Sequence, residues 1–380
     1  MVTLAELAED PHPHLAELRE RAPVVWLPAL GGWMVTGRAL AVEVMRDAAA
    51  FTVDDPRFTT ARVVGPSMLS LDGPEHARHR DPFVAPFRPR AVHAAFGETV
   101  RREADRLLDG LAPRGAAELR RDFAGPLAAV VMAEVLGLTD VPVPAILGWY
   151  DQIVRAVDRL THGEDAGAEG PAAYQALRAA VAGTLDAGAA DSLLVAAAAD
   201  GRLDLPELAS NAAVLLFGGI ETTEAMIANA LLHILAEPDL VARLLADPDL
   251  LDNAVEESLR LEPGAAVVDR YATRDTDLAG IRVRAGDLVT VSLAGANRDP
   301  AVFPDPDRFD VHRPNARLQL AFAHGPHFCV GAHLARLEAR VALRACFERL
   351  PHLRLDASRP SAPRGLVFRK PPTLAARWHS

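Results

Sequence analysis

The sequence predicts a mainly α-helical fold with a small β region. Three observations carry this. Ala and Leu, both strong helix formers, dominate the chain. Apolar residues recur at helical spacing in RREADRLLDGL from Arg101, in the stretch after Pro126, and in VARLLADPDLLDNAVEESLRL from Val241. Strand signals are confined to two places, residues 24–37 and 267–293.

Taken in order, VVWLPALGGWMVTG from Val24 reads as a hairpin, two apolar segments around a Gly-Gly turn. Pro126, Pro171 and Pro206 stand where helices can start, because a first-turn proline loses no helical hydrogen bond. THGEDAGAEGP, residues 161–171, reads as a mobile surface loop between two helices. Pro248 should break the helical run from Val241 into two helices. VVDRYATRDTDLAGIRVRAGDLVTVSL, residues 267–293, reads as short strands with turns at Ala279-Gly280 and Ala285-Gly286. ANRDPAVFPDPDRFDVHRP has no periodicity and reads as a long ordered loop, a kind of segment that is often functional. A last helix begins near Gly331.

The 380 residues, half of them hydrophobic, suffice for a large core and are read as one domain over 1–380. A net charge of -11 argues against nucleic acid and anionic membrane surfaces as partners. Two cysteines cannot form a disulfide framework, and the N-terminus lacks the basic start of a signal peptide. No apolar run approaches a membrane span; Ala212 to Ile220 is interrupted by glycines. The expectation is a soluble cytoplasmic protein without a membrane partner.

One cysteine sits in AFAHGPHFCVG, Ala321 to Gly331. Gly325 and Gly331 allow a tight backbone, and a helix starting just beyond favours a negative sulfur. His327 can hydrogen-bond a nearby anion, and Phe322 and Phe328 would supply an apolar wall. Cys329 is thus a nucleophile, a metal ligand or a buried free thiol; Cys346, in mid-helix among Ala and Phe, reads as plain core. LLFGGIETT, from Leu215, places two glycines inside an apolar helix, each costing roughly 1 kcal/mol against alanine. Either close helix packing or room for a ligand would explain them. Gly218 and Thr222, four apart, share a face, and Glu221 stands beside them. Glu257 and Arg260, three apart in VEESLRL, face the same way and can pair. His76 and Arg80 are four apart on one face of a starting helix, whereas Arg78 and His79 read as solvated.

The pattern Phe322-x-x-Gly325-x-His327-x-Cys329-x-Gly331 resembles the haem-binding loop of the cytochromes P450, with Ala323 where that family usually has glycine or a small polar residue. The resemblance spans roughly residues 10–375 and implies the P450 fold, with haem between the Gly218–Thr222 helix and the Cys329 loop. It implies haem b (iron protoporphyrin IX) with the Cys329 thiolate as proximal iron ligand. Glu257-x-x-Arg260 resembles the family's buried pair, which locks onto an arginine of the loop before the cysteine: Arg313, with Arg308 as rival. Gly218, Glu221 and Thr222 resemble the oxygen-activating signature, the threonine steadying bound dioxygen and the acid delivering protons. His76, Arg80, Arg270 and His327 match partners of the haem propionates.

The function implied is monooxygenation: one atom of O2 enters a small, mostly apolar organic substrate, in secondary metabolism. Electrons would come from a separate ferredoxin and ferredoxin reductase, docked on a basic face that includes Arg78, Arg336, Arg340 and Arg344. Val214, Phe217 and Gly218 should face the substrate, Ala265, Ala266 and Val268 should line its side, and segments 58–70 and 145–172 should cap it. A peroxide-driven peroxygenase of the same fold and a non-enzymatic haem-binding sensor remain as alternatives.

Overall fold

The computed structural model describes residues 2–161, 163–188, 192–237 and 239–379. His162, in the loop expected at 161–171, lies outside the described residues; the helices flanking that loop are Val143–Thr161 and Glu169–Ala187. The architecture is mainly helical with small sheets.

Its axis is the 31-residue helix Leu205–Leu235. The run starts sharply: the Asp204 carboxylate accepts from the Glu207 N–H, the Glu207 side chain caps Asp204 in return, and Pro206 stands in the first turn. Helices Gly125–Leu136, Glu169–Ala187, Pro248–Leu261 and Ala332–Arg349 pack around it. The helix is therefore buried almost all round, and its polar side chains need partners. Ser210 donates to the Val64 carbonyl at 2.6 Å; Asn211 accepts from the Met68 N–H at 2.8 Å. Asn229 donates to the carbonyls of Glu262 (3.2 Å) and Arg369 (3.0 Å). Length and a mean hydropathy of 1.2 would let this helix cross a membrane, but 78% of that window is buried inside the fold.

The break at Pro248 falls where expected. Asp247 ends helix Leu240–Ala246 and caps Pro248–Leu261, its carboxylate accepting from the N–H groups of Asp249 and Leu250. Four of the strands expected in 24–37 and 267–293 form a five-stranded sheet with Phe51–Thr52, which lies outside both regions, in the order Val24–Leu27, Gly32–Val35, Leu288–Ser292, Val267–Ala272, Phe51–Thr52. Only the second and third of these run parallel, with Trp33 opposite Val289. The Gly-Gly turn divides its labour: Gly31 takes φ +61°, while a Cβ on Gly32 would stand 2.8 Å from the Leu288 carbonyl oxygen. Two further sheets are small: Ala116–Glu118, Ala375–Arg377 and Arg354–Leu355 form one, and the hairpin Thr276–Leu278/Ile281–Val283 the other. Residues 297–324 form an ordered chain of turns with Phe303 fully buried.

Candidate functional site

The cysteine loop is held by its backbone. Gly325 adopts φ +74°, and a Cβ there would lie 2.4 Å from the Met45 carbonyl oxygen. A short 3₁₀ turn follows, and the Cys329 N–H donates to the Phe322 carbonyl at 2.9 Å. Helix Ala332–Arg349 starts three residues on. Burial pushes the Cys329 thiol up, opposed by a hydrogen bond from the Gly331 N–H and by the charges of Arg80 and Arg336. A thiolate there is disfavoured on its own and favoured once it binds a cation. Ala323 takes φ +58°, a left-handed conformation carried without glycine. Phe322 is buried under the Arg336 guanidinium, 4.4 Å from its ring centre. Phe328 departs from expectation: it is 42% exposed, because the turn directs its ring outward, while its backbone is held, the N–H donating to the Gly325 carbonyl at 3.0 Å and the carbonyl accepting from Arg80 at 2.5 Å.

Behind this loop lies a closed ion cluster. Glu257 and Arg260 are fully buried and joined by two hydrogen bonds of 2.7 and 2.8 Å. Of the two rival arginines, Arg313 reaches Glu257 (2.9 Å), while Arg308 contributes only its carbonyl. Arg260 also donates to the carbonyls of Asn297 and Pro306, and Arg313 to those of Pro304 and Asp305. In the irregular 297–313 segment the carbonyls of Asn297, Pro304, Asp305, Pro306 and Arg308 accept from the two guanidiniums, while those of Asp299, Asp305 and Asp310 accept backbone N–H groups in single turns.

A second set of cations is left open. Arg270 is 4% exposed, yet donates only to its neighbour's carbonyl, Asp269, at 2.7 Å. Among the described residues neither Arg270 nor Arg80 has a carboxylate within ion-pairing reach, and burial pushes both guanidiniums down. His76 and His327 stack with ring centres 4.3 Å apart. His327 is tied by Nε2 to Asp72 at 2.8 Å, but the buried Nε2 of His76 has no partner. Burial, with His327 and Arg80 nearby, brings the His76 pKa down to about 4. The neighbouring His79 and Arg78 are not free surface groups. His79 is 1% exposed and bonded to Asn211 at 3.0 Å, because the helix Gly73–Val84 turns that side toward the central helix; Arg78 pairs with Glu75 and Glu207.

On the central helix the two glycines do different things. A Cβ on Gly219 would stand 2.4 Å from the Met132 sulfur, so this glycine admits the neighbouring helix; a Cβ on Gly218 would meet nothing within 4 Å. Close helix packing thus accounts for Gly219, while Gly218 borders open space. Thr222 Oγ1 donates to the Gly218 carbonyl at 2.6 Å. Glu221, 5% exposed, pairs with Lys370 at 2.8 Å. Lys370 also pairs with Glu224, which holds Arg120 at 3.0 Å. Burial raises the Glu221 pKa, with Lys370 opposing.

Beside this helix Thr60, Val64, Ile153, Val157, Val214 and Phe217 line a narrow apolar crevice. Thr60 and Val64 belong to helix Thr59–Val64, and Ile153 and Val157 to Val143–Thr161, so residues of both expected capping segments line this crevice. Ala265 forms a β-bridge with Phe368, whose ring packs edge-on against Phe217 at 5.2 Å. Ala266 does not line this space. It is turned away, into the small core of Leu7, Leu15, Met34 and Ala294 under the N-terminal helices. Val268 packs on the sheet layer of Val35 and Val291. Sequence reasoning missed Phe368, Lys370, Glu224 and Asp72; none of them lies within a recognisable motif.

The Cytochrome P450 family model matches residues 184–375. Cytochrome P450 monooxygenase PikC of Streptomyces venezuelae is 38% identical over 93% of this chain and 87% of its own length. The chain belongs to the cytochrome P450 family. Solved P450 structures superpose on this one over nearly the whole chain. CYP109Q5 from Chondromyces apiculatus does so with a TM-score of 0.89, 31% identity and coverage of 99% of this chain and 98% of its own. HmtN, a post-tailoring hydroxylase involved in himastatin biosynthesis, gives 0.83 at 31% identity and full coverage of both chains. This P450 is accordingly a monooxygenase, an oxidoreductase with haem iron as cofactor.

The residues present suit that group. Haem brings an iron that takes a thiolate and two carboxylates that take cations. The site offers Cys329 in a cationic, N–H-lined cup, together with Arg270 and Arg80 without carboxylate partners and an orphaned His76 nitrogen. Among the described residues no group of three or more His, Cys, Asp or Glu is arranged to hold a metal ion. A single thiolate on an iron brought in by a porphyrin needs no such cluster.

Proposed function

We propose that this P450, as one haem-thiolate domain over 1–380, hydroxylates or otherwise mono-oxygenates a small, mostly apolar natural product. Haem b is the form we assign. Bound by the Cys329 thiolate, it would supply the iron on which O2 is reduced. Arg270, Arg80, His76 and His327 would hold its two carboxylates.

The observation that carries the reading is the open face of the central helix. Gly218 leaves unfilled space, Thr222 shares that face, and an acid held in a buried ion pair stands next to it. Thr222 would offer its hydroxyl, now turned to the Gly218 carbonyl, as a hydrogen-bond partner to O2 entering the open space beside Gly218. Glu221 would supply protons, which its burial-raised pKa suits. Val214 and Phe217, with Ala265 through Phe368, would orient an apolar substrate and exclude water from the reacting face.

Kinship with HmtN supports a role in secondary metabolism. Electrons would arrive from a ferredoxin and its reductase. The four arginines of the basic face are already engaged: Arg78 with Glu75 and Glu207, Arg336 with Glu256, Arg340 with Asp252, Arg344 with Glu348. Docking there would have to exchange these pairs. An acidic chain with both cysteines free suits the cytoplasm.

The test is reconstitution with haem, a ferredoxin, its reductase and a panel of apolar natural products. Compounds that shift the haem spin-state band should be oxidised with O2, and Thr222→Ala should divert electrons to hydrogen peroxide. Turnover with peroxide but none with O2 and electrons would favour a peroxygenase. An unchanged Thr222→Ala would count against the assigned role of the threonine. The carbonyl adduct must show the red-shifted Soret band of thiolate ligation and lose it in Cys329→Ser.

A further inference from the structure

Of the 40 lysine and arginine residues in this chain, 39 are arginine. The single lysine is Lys370. It sits buried against the central helix, with its ammonium on both Glu221 (2.8 Å) and Glu224. All other ion pairs among the described residues are made by arginine or histidine. Glu221 and Glu224 are three apart and share a helix face, so one cation can serve both.

The placement is built and not incidental. The Arg369 carbonyl accepts from Asn229 of the central helix at 3.0 Å. The Arg369 N–H donates to the Gly264 carbonyl (3.0 Å) and its guanidinium to Glu262 (2.6 Å). These bonds fix the backbone that carries Lys370. On the far side from Glu221, the Tyr150 hydroxyl lies 3.5 Å from Nζ, and the lysine side chain retains 14% exposure. The groups facing Nζ are therefore Glu221 and Glu224 from the central helix and Tyr150 from Val143–Thr161, with Arg120 behind Glu224.

An arginine could bridge two carboxylates equally well. What it cannot do is release a proton; lysine can. We propose that Lys370 is the positioning residue through which Glu221 receives its protons from solvent. The inference rests on the proton-delivery role proposed above for Glu221. In the step, an N–H bond of the Lys370 ammonium breaks and an O–H bond forms on the Glu221 carboxylate. Glu221 releases that proton toward the open face beside Thr222 and returns to the anion. The neutral amine then takes a proton from water at its exposed edge, so one solvent proton enters per passage and no electrons move.

The test compares Lys370→Arg, Lys370→Met and Glu221→Gln in the reconstituted holoenzyme. Lys370→Arg keeps the charge and the ion pairs. It should bind haem and substrate as the wild type does, yet lose coupled product formation by about a hundredfold, the low end of what a positioned proton donor contributes. Its solvent isotope effect should rise. Wild-type coupling and isotope effect in Lys370→Arg would overturn the proposal and leave Lys370 a charge clamp. A readout apart from turnover is the infrared band of a protonated buried carboxyl, assigned by its loss in Glu221→Gln. It should strengthen at neutral pH in Lys370→Met, and an unchanged band would mean that the lysine does not govern Glu221. Should both variants fail to fold, Lys370→Cys alkylated with bromoethylamine restores an ammonium more acidic than that of lysine. Its pH–rate profile should move to lower pH, and an unmoved profile refutes the relay. Full coupling in Glu221→Gln would instead sink the role of Glu221 itself, whatever the lysine variants do.

Discussion

Two buried cationic clusters stand on either side of the cysteine loop, and they are built to opposite rules. In the first, Arg260 spends all its donors: two on Glu257 and three on the carbonyls of Asn297, Pro306 and Arg308. Arg313 does nearly the same. In the second, Arg270 is almost as deeply buried but makes one hydrogen bond, and the His76 Nε2 makes none. A buried charge without a counter-charge is costly. The first cluster is complete in the protein alone. The second is left open, with only the longer-range charges of Asp72 and Asp269 acting on Arg270, and we propose that two carboxylates of haem complete it.

The sharpest way to break this contrast is to remove the carboxylate of the closed cluster. Glu257→Gln leaves two buried guanidiniums facing each other and should cost on the order of 3–5 kcal/mol. Apo and holo protein should suffer alike, with unfolding midpoints in urea falling together. A variant of wild-type stability would show that the loop carbonyls suffice.

Arg270→Met should behave differently. The apo protein loses an unpaired buried charge and should unfold at the same or a higher urea concentration. Haem retention should fall by about 1.5–3 kcal/mol, a charge-assisted hydrogen bond, or roughly ten- to a hundredfold in the rate of transfer to apomyoglobin. Equal destabilisation of apo and holo forms would erase the distinction between the clusters.

The third effect is smaller and depends on pH. The folded His76 has a pKa of about 4 against 6.5 for a free imidazole. As pH falls below 6.5 the unfolded chain takes up a proton that the folded apo chain refuses, so stability is lost progressively down to about pH 4. The ring is faced by His327 and Arg80, which repel a proton, and by Asp72 and Asp81, which attract one. An anion of the cofactor at this position would make protonation easier, so haem should flatten the slope. Urea unfolding of apo and holo protein at several pH values reads this directly, with His76→Phe as the control: its apo slope should be shallower by the share of one histidine, the buried His233 and His327 still contributing theirs, and haem should no longer change that share.

How much of this was legible follows from how each contact is spaced along the chain. Glu257 with Arg260, Gly218 with Thr222, and His76 with Arg80 are three or four residues apart, so helical geometry alone brings them together. The cysteine loop is contiguous. Lys370 meets the central helix about 150 residues upstream, and Asp72 meets His327 across 255, so nothing local announces either contact. Arg313 could be named only as one of two candidates because the choice depends on which turn of an aperiodic loop passes Glu257. His79 was misread because, on a helix with both charged and buried neighbours, the buried side is decided by Asn211 from another element. Ala266 was misassigned because, just ahead of the strand Val267–Ala272, it is buried among Leu7, Leu15 and Met34, residues more than 200 positions away that nothing local announces.

The loop joining the two clusters contains the smallest testable feature. Ala323 holds φ +58°, where the Cβ crowds the following carbonyl, at about 1 kcal/mol. Its N–H donates to the Leu320 carbonyl (2.8 Å), and the Phe322 carbonyl just before it accepts from Cys329 (2.9 Å), so the turn is over-determined and the strain is retained. Ala323→Gly removes the strain but frees the unfolded backbone, and these oppose each other. With a left-handed native conformation the first should win, giving a gain of about 0.5–1 kcal/mol in urea unfolding. Both clusters should be untouched, so haem retention and the thiolate Soret band should stay as in the wild type. A gain confined to the holo form would mean that Ala323 is strained by haem-loop closure instead of by its own backbone, and the two clusters would then be coupled through this residue.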